Sequence, residues 1–422
     1  MKILIFEPKS SILRAFKASH QILLEEEIKE LVKYAEIVVV TEQIHPTKYG
    51  KRDIDIREKE GYVEYQVRGL FSYLSNIMSP KTHKMSMIPE FFSPDILNKI
   101  IHLIKYEIAP DVIYSSGSPL FGLFTYYLQC KTATPAVYYV FYPLYESPKG
   151  ELTEGKVSPN LLLSIYELFK ELIRNIPRRK ILIKWALNGI SQLVVSSRYV
   201  LQSLFKIGLT SRDIPIIYPG IRVPSLGRKV YPLEEPLLTY FGHFRARRGV
   251  LDVLITFVNV APMFPNLKLL LAISNLHDIF GSSLFNFYKH LIGKFRLEDR
   301  VILKGAVKDI YLEVLFPSAV VLLPQREASI KILEAMASAR PVITTNVEWI
   351  PELIKSGFNG FLTDPGDIKE MTKIVSSLLK NPNIAEKVGK YARATIEKKC
   401  NIVTHAKNLL NIMLNTRRKA SI

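Results

Sequence analysis

The stretch REASIKILEAMASARPVITTNVEWIPELIKSGFNGFLTDPGD, residues 326–367, decides the fold. It follows AVVLLPQ (319–325), a short apolar run that reads as a strand entering a loop. IKILEAMA, from Ile330, has helical spacing, and Ser329 stands where an N-cap belongs. Pro341 opens a second apolar strand, PVITT. Pro351 opens another short helix, and Gly357, Asn359 and Gly360 supply a turn. A strand leading directly into a helix start is an anion site, because free backbone amides and the helix dipole converge there. Glu327 sits in the loop and Glu334 inside the helix. Carboxylates repel a phosphate, so hydroxyl donors such as those of ribose or a sugar suit them better.

Working outward, TYFGHFRARRGVLDVL (239–254) repeats the strand–loop–helix pattern. Its strand ends at Gly242, and His243, Arg245, Arg247, Arg248 and Gly249 fill the loop. Basic residues placed so can neutralise a diphosphate; standing alone, they would read as a solvated basic loop. Further strands are expected at 2–6, 36–40, 111–114, 136–141, 192–196 and 214–218, then at 237–241, 267–273, 300–305, 319–323 and 341–345. These runs are nearly all apolar, which suits strands buried on both faces of a parallel sheet. Two such series predict an α/β protein with two doubly wound Rossmann-like domains facing a cleft, where ligands collect at the C-terminal strand edges. The window 219–236 holds four prolines and two glycines and reads as a linker. The expected division is 1–222, 236–400, and a helical tail over 401–422 that crosses back to the N-terminal domain, with one long helical tract over 384–415.

Apolar residues make up 48% of the 422-residue chain, enough for two cores. Cys130 and Cys400 are far apart and offer neither a disulfide framework nor zinc spacing. That composition, with no apolar stretch of spanning length and no signal-peptide pattern at MKILIFEPKSS, leads to a cytoplasmic expectation. The net charge of +18 calls for an explanation. The basic residues are densest at 174–184, 245–248 and 417–419. No nucleic-acid module accompanies them, so nucleic acid is not an expected partner. Residues 167–188 mix apolar and basic side chains and could lie on an anionic bilayer, on the inner face of the membrane, or form an ordinary basic helix pair. Asp53-Ile-Asp55 spells a metal-binding DxD, but two acids at that spacing arise readily by chance. The eight histidines show no metal spacing, residues 117–122 lack a phosphate-loop lysine, and no serine elbow occurs.

Together the two loops resemble the family 4 retaining glycosyltransferases of GT-B fold. That family has Gly-Arg, four residues, then Lys-Gly after the first strand of its C-terminal domain; here the spacing reads Gly242-His243, four residues, Arg248-Gly249. Its Glu-Ala-Met-Ala, Pro-Val-Ile, Pro-Glu, Asn-Gly and Pro-Gly-Asp landmarks correspond to Glu334–Ala337, Pro341–Ile343, Pro351-Glu352, Asn359-Gly360 and Pro365–Asp367. The match is specific over 236–367, with weaker landmarks at 110–114 and 195–221. The family's first glutamate lies eight residues before the second; here that position is Arg326, and Glu327 follows it. Phe141 and Tyr142 stand where the family often has a histidine.

The resemblance implies a metal-independent, retaining transfer of a hexosyl group from a nucleotide sugar to a glycan, lipid-linked or other hydroxyl acceptor, with no cofactor. It implies Arg248 and Glu327 as the catalytic pair. Gly242, His243, Arg248, Ser329, Ile330 and Lys331 would surround the diphosphate, and Glu334 would take the ribose. Glu327, or Arg326 beside it, would take the sugar hydroxyls, and Gly305 would face the base. The acceptor is expected from the N-terminal domain. The alternatives are a silent homologue acting as a partner subunit, and an epimerase of the same fold.

Overall fold

The computed structural model describes residues 1–7, 19–43, 54–68, 94–117, 119–141, 177–210, 213–225, 235–274 and 283–421. The chain divides into two units. The first runs to Gly220 and resumes with the helix from Ile402; the second holds Ile221–Asn401.

In the first unit the strands are β1 (Lys2–Glu7), β2 (Glu36–Gln43), β3 (Ile54–Lys59), β4 (Tyr62–Arg68), β5 (Val112–Gly117), β6 (Ala136–Val140) and β7 (Gln192–Val195). They lie in the order β3-β4-β2-β1-β5-β6-β7, and only β3 pairs antiparallel. Every residue of β5 and β6 is buried, as continuous apolar runs require when both faces are covered.

The second unit holds β8 (Leu237–Gly242), β9 (Lys268–Ile273), β10 (Val301–Lys304), β11 (Val320–Leu323), β12 (Val342–Thr345) and β13 (Phe361–Thr363). Its all-parallel order is β10-β9-β8-β11-β12-β13. Counting β8 as first, this is the doubly wound 3-2-1-4-5-6 order, whose direction of winding reverses between β8 and β11. Among the described residues no helix is long and apolar enough to cross a membrane.

Both units are doubly wound α/β, as the apolar runs predict. Several details differ. Ile214–Tyr218 forms no strand: one bridge joins Val195 to Ile216, and Pro215, lacking an N–H, stops the ladder from extending. The hairpin of β3 and β4 was not expected, because an edge pair alternates charged and apolar residues and has no continuous apolar run. The strand β13 is only three residues long. The tract 384–415 is two helices, Pro382–Lys399 and Ile402–Ala420, broken where the Cys400 carbonyl accepts the Ile221 amide at 2.7 Å. Asp53, Tyr142, residues 167–176 and residues 226–234 lie outside the described residues. Asp55 is on β3.

Helix Ile402–Ala420 is held to the first unit by a buried polar chain. Tyr114 Oη donates to Glu27 Oε2 at 2.8 Å. Glu27 Oε1 lies 2.8 Å from His405 Nε2, and His405 Nδ1 lies 2.8 Å from the Tyr218 carbonyl. A carbonyl only accepts, so Nδ1 carries a proton, and one further proton lies between Nε2 and Glu27. All three side chains are buried.

In the second unit Gly249 lies close against a neighbouring backbone. Its φ is +75°, and a Cβ there would fall 2.0 Å from the Pro324 carbonyl oxygen. The loop after β8 thus lies directly on the loop after β11.

Two outcomes follow. Glu27→Ala removes the buried partner of His405 Nε2 and the acceptor of Tyr114 Oη and should cost about 3–5 kcal/mol by urea denaturation, much of it restored in Glu27→Leu/His405→Phe. Gly249→Ala should cost about 2–4 kcal/mol, from left-handed strain plus displacement of Pro324. Gly357→Ala, with similar φ and nothing within 4 Å of the new Cβ, should cost only about 1 kcal/mol.

Candidate functional site

At the winding reversal, β8 ends at Gly242 and β11 ends at Leu323. After Gly242 the chain passes His243–Arg245, makes a 3-10 turn over Ala246–Arg248, and enters helix Val250–Val260 through Gly249. After Leu323 it passes Pro324–Ile330 and enters helix Lys331–Ala337. Both loops emerge at the carboxyl edge of adjacent parallel strands, the place where doubly wound sheets bind ligands.

Side chains tie the loops together. Arg248 donates Nη1 to Gln325 Oε1 at 3.1 Å, and its Nη2 lies 2.7 Å from Glu327 Oε1. Arg247 reaches the other oxygen of Glu327 at 3.8 Å. Arg326 turns the other way: its amide donates to the Arg247 carbonyl, and its Nη1 donates to the Ala246 carbonyl at 3.1 Å. The same guanidinium lies 3.7 Å from Asp252 Oδ2. Asp252 is buried, and that burial raises its pKa while Arg326 pulls it back down.

A second group lies along helix Lys331–Ala337. Lys331 and Glu334, three residues apart, share one helix face. Lys331 Nζ sits 5.2 Å from the centre of the Phe241 ring. Burial lowers the Lys331 pKa, Glu334 opposes that shift, and Arg248 adds to it. Burial raises the Glu334 carboxyl, with Lys331 opposing. His243 is half-buried, and its imidazole is driven down to about 4 by burial first, then by Lys331, Arg245, Arg248 and Arg247. His243 is therefore neutral at physiological pH, under the influence of four cationic side chains. Tyr240 supports the turn by donating to the His243 carbonyl at 2.7 Å.

Ser329 does not cap the helix as its position suggests. Ile330 occupies the N-cap with helical backbone angles and no side-chain cap bond. Ser329 Oγ instead accepts a long 3.4 Å bond from the Lys331 amide. Among the described residues the amides of Ser329 and Ile330 donate to no protein acceptor. The helix start thus keeps donors for an anion although Ser329 is not its cap.

The structure brings Gly242, His243, Arg248, Arg326, Glu327, Ser329, Ile330, Lys331 and Glu334 to the ends of β8 and β11. Gly305 follows β10, two strands from β8 on the same sheet edge, and no hydrogen bond or ion pair among the described residues joins it to the cluster. Four contributors escaped the sequence reading. Gln325 and Asp252 hold the two arginines. Glu348 accepts the Ala328 amide at 3.1 Å, with a left-handed φ of 49°. Tyr311 has its pKa raised by burial and then by Glu334, so it stands beside that carboxylate. Of these, only Asp252 left a trace in the sequence, as an acid in a first helical turn. Among the described residues, no group of three or more His, Cys, Asp or Glu could hold a metal ion.

Residues 227–395 match the family described as Glycosyl transferases group 1. N-acetyl-alpha-D-glucosaminyl L-malate synthase of Bacillus anthracis is 25% identical over 225 residues, spanning 51% of this chain and 57% of that protein. Alpha-D-kanosaminyltransferase of Streptomyces kanamyceticus is 32% identical over 105 residues, spanning 24% of this chain and 27% of that protein. The chain therefore spans about half or less of the length of these curated relatives. Among solved structures, the sucrose-phosphate synthase of Thermosynechococcus elongatus superposes with a TM-score of 0.69 at 17% identity, covering 98% of each chain. Anabaena HepE in complex with UDP superposes with a TM-score of 0.67 at 15% identity, covering 98% of this chain and all of that one. The fold of the chain is GT-B, and the match to the glycosyl transferases group 1 family covers residues 227–395, less than half of the chain.

Proposed function

We propose that the chain is a glycosyltransferase that binds a nucleotide sugar at the ends of β8 and β11 and passes the sugar to a hydroxyl acceptor, a glycan or a lipid-linked saccharide. The observation that carries this reading is the convergence of Arg248, Lys331 and neutral His243 with two carboxylates, Glu327 and Glu334, at the reversal of winding. The family match over residues 227–395 supports it, as do the transferase names of the relatives and the UDP held by Anabaena HepE.

In this reading the diphosphate sits against Arg248, Lys331, His243 and the amides of Ser329 and Ile330. Negative charge grows on the leaving diphosphate as the glycosidic bond breaks, so fixed donors act most strongly in the transition state. Glu334 accepts from the ribose hydroxyls. Glu327 is paired with Arg248. An arriving diphosphate takes over that guanidinium and releases the Glu327 carboxylate for the sugar hydroxyls. Arg326 does not share this role, because it is engaged with Ala246 and Asp252. The reaction is retaining and draws on no metal.

Thermal shift with UDP-, GDP-, ADP- and dTDP-sugars tests the donor site. One nucleotide family should raise the melting temperature, and Glu334→Ala should abolish that rise, since only ligand bound to the folded state stabilises it. Arg248→Ala should lower turnover with the identified donor by about 100- to 1,000-fold. No shift with any nucleotide, in folded protein, would favour a silent partner subunit over an enzyme.

His243 supplies a pH prediction. Between about 6.5 and about 4 the unfolded chain takes up a proton that the folded chain does not, so stability falls as pH drops through that window. A bound diphosphate stabilises the imidazolium and raises its pKa, so nucleotide-sugar binding takes up a proton and tightens toward acid pH. Both trends should be weaker in His243→Gln, measured by melting temperature and by donor titration from pH 7.5 to pH 5.

A further inference from the structure

The loop Pro324–Ile330, which carries Glu327, is fastened from two sides. From the loop after β8, Arg248 holds Gln325 and Glu327. The opposite ties come from β12 and the turn that follows it. Thr344 donates its hydroxyl to the Leu323 carbonyl at 2.8 Å, and Thr345 donates to the Gln325 carbonyl. Glu348 makes the third tie, its Oε2 accepting the Ala328 amide at 3.1 Å. That amide is part of the peptide bond between Glu327 and Ala328. Glu348 therefore sets a second carboxylate against the backbone of Glu327.

Two features of Glu348 exceed what a loop clamp requires. Its φ of 49° lies in the left-handed region, where glycine and asparagine are the usual occupants. Non-glycine residues held there gather at ligand sites, where the surrounding structure enforces the conformation. Its charge is also more than the bond needs, because a neutral amide oxygen accepts from a backbone N–H as well.

We propose that Glu348 is a specificity-determining residue at the sugar end of the donor site, selecting a neutral sugar over a uronic acid. The inference rests on the donor-site reading and deepens it. With the diphosphate on Arg248 and Lys331, the sugar lies toward Glu327, and Glu348 gives that end a second negative charge. Sugar hydroxyls donate to carboxylates. A sugar carboxylate only accepts, so it meets like charge and brings no donor. The nearby arginines do not answer it. Arg248 is taken by the diphosphate, Arg326 is engaged with Ala246 and Asp252, and Arg247 lies 3.8 Å from Glu327 Oε2.

The test uses the full-length protein and titration calorimetry. UDP, GDP, ADP and dTDP are titrated first. The diphosphate that binds is then compared as its glucosyl and its glucuronosyl ester, which differ only at C6 of the sugar. The glucosyl ester should bind about tenfold or more tightly than the glucuronosyl ester. Glu348→Gln keeps an acceptor for the Ala328 amide and removes the charge, so it should bring the ratio of the two affinities close to one. A mere distortion of the loop weakens both esters alike and leaves the ratio where it was. Equal affinity for the two esters in the wild-type protein overturns the proposal, and so does a preference that survives in Glu348→Gln. In either case the bare diphosphate still binds and the donor-site reading stands. If none of the four diphosphates binds the folded protein, that reading falls and the role of Glu348 falls with it.

Discussion

The contact of Gly249 with the Pro324 carbonyl sets the geometry of the second unit's site. Two parallel strands place their following loops side by side, but side chains on both loops would ordinarily hold them apart. A glycine with positive φ removes that obstacle and turns the chain into its helix in one step. Arg248 then reaches Gln325 and Glu327 across the junction, and Arg326 reaches back to Ala246 and Asp252. The two loops are cross-tied in both directions, so neither can shift without breaking a charged contact.

The electrostatics follow from that closeness. Three arginines and a lysine surround His243, and together with burial they keep it neutral. Glu327 partly balances this charge, and Glu334 balances Lys331 on the helix. A cluster of cations loosely neutralised by carboxylates can exchange those carboxylates for an incoming anion. In the proposed function that exchange links the binding of a diphosphate to the freeing of a carboxylate that accepts from sugar hydroxyls. The half-buried setting strengthens each term, because fewer waters compete for the charges.

The first unit solves a different problem. Its sheet is closed by a helix from the far end of the chain, anchored through Tyr114, Glu27, His405 and the Tyr218 carbonyl. Buried polar groups of this kind are costly unless fully satisfied, and here each has a partner. The apolar residues left outside, Ile181 and Trp185, are not needed for that core, which already holds Ile183 and Leu187 from the same helix.

The sequence by itself determined the class of fold and pointed to the two loops that are proposed here as the donor site. Continuous apolar runs such as LKLLLAI and AVVLL suit strands covered on both faces, and the Gly-His and Arg-Gly spacing falls directly after another, LLTYF. Family resemblance then placed Glu327 and Glu334 along the chain. Local pattern could not reveal the edge hairpin of β3 and β4, whose alternation resembles a charged loop, nor the break at Cys400, which depends on a backbone bond to Ile221. Only the tertiary structure decided that Arg326 faces Asp252 while Glu327 faces Arg248, and that Gln325, Glu348 and Tyr311 join the site. Neighbours along a chain share spacing but not direction, and a side chain's partner is set by which strand ends lie beside it in the sheet.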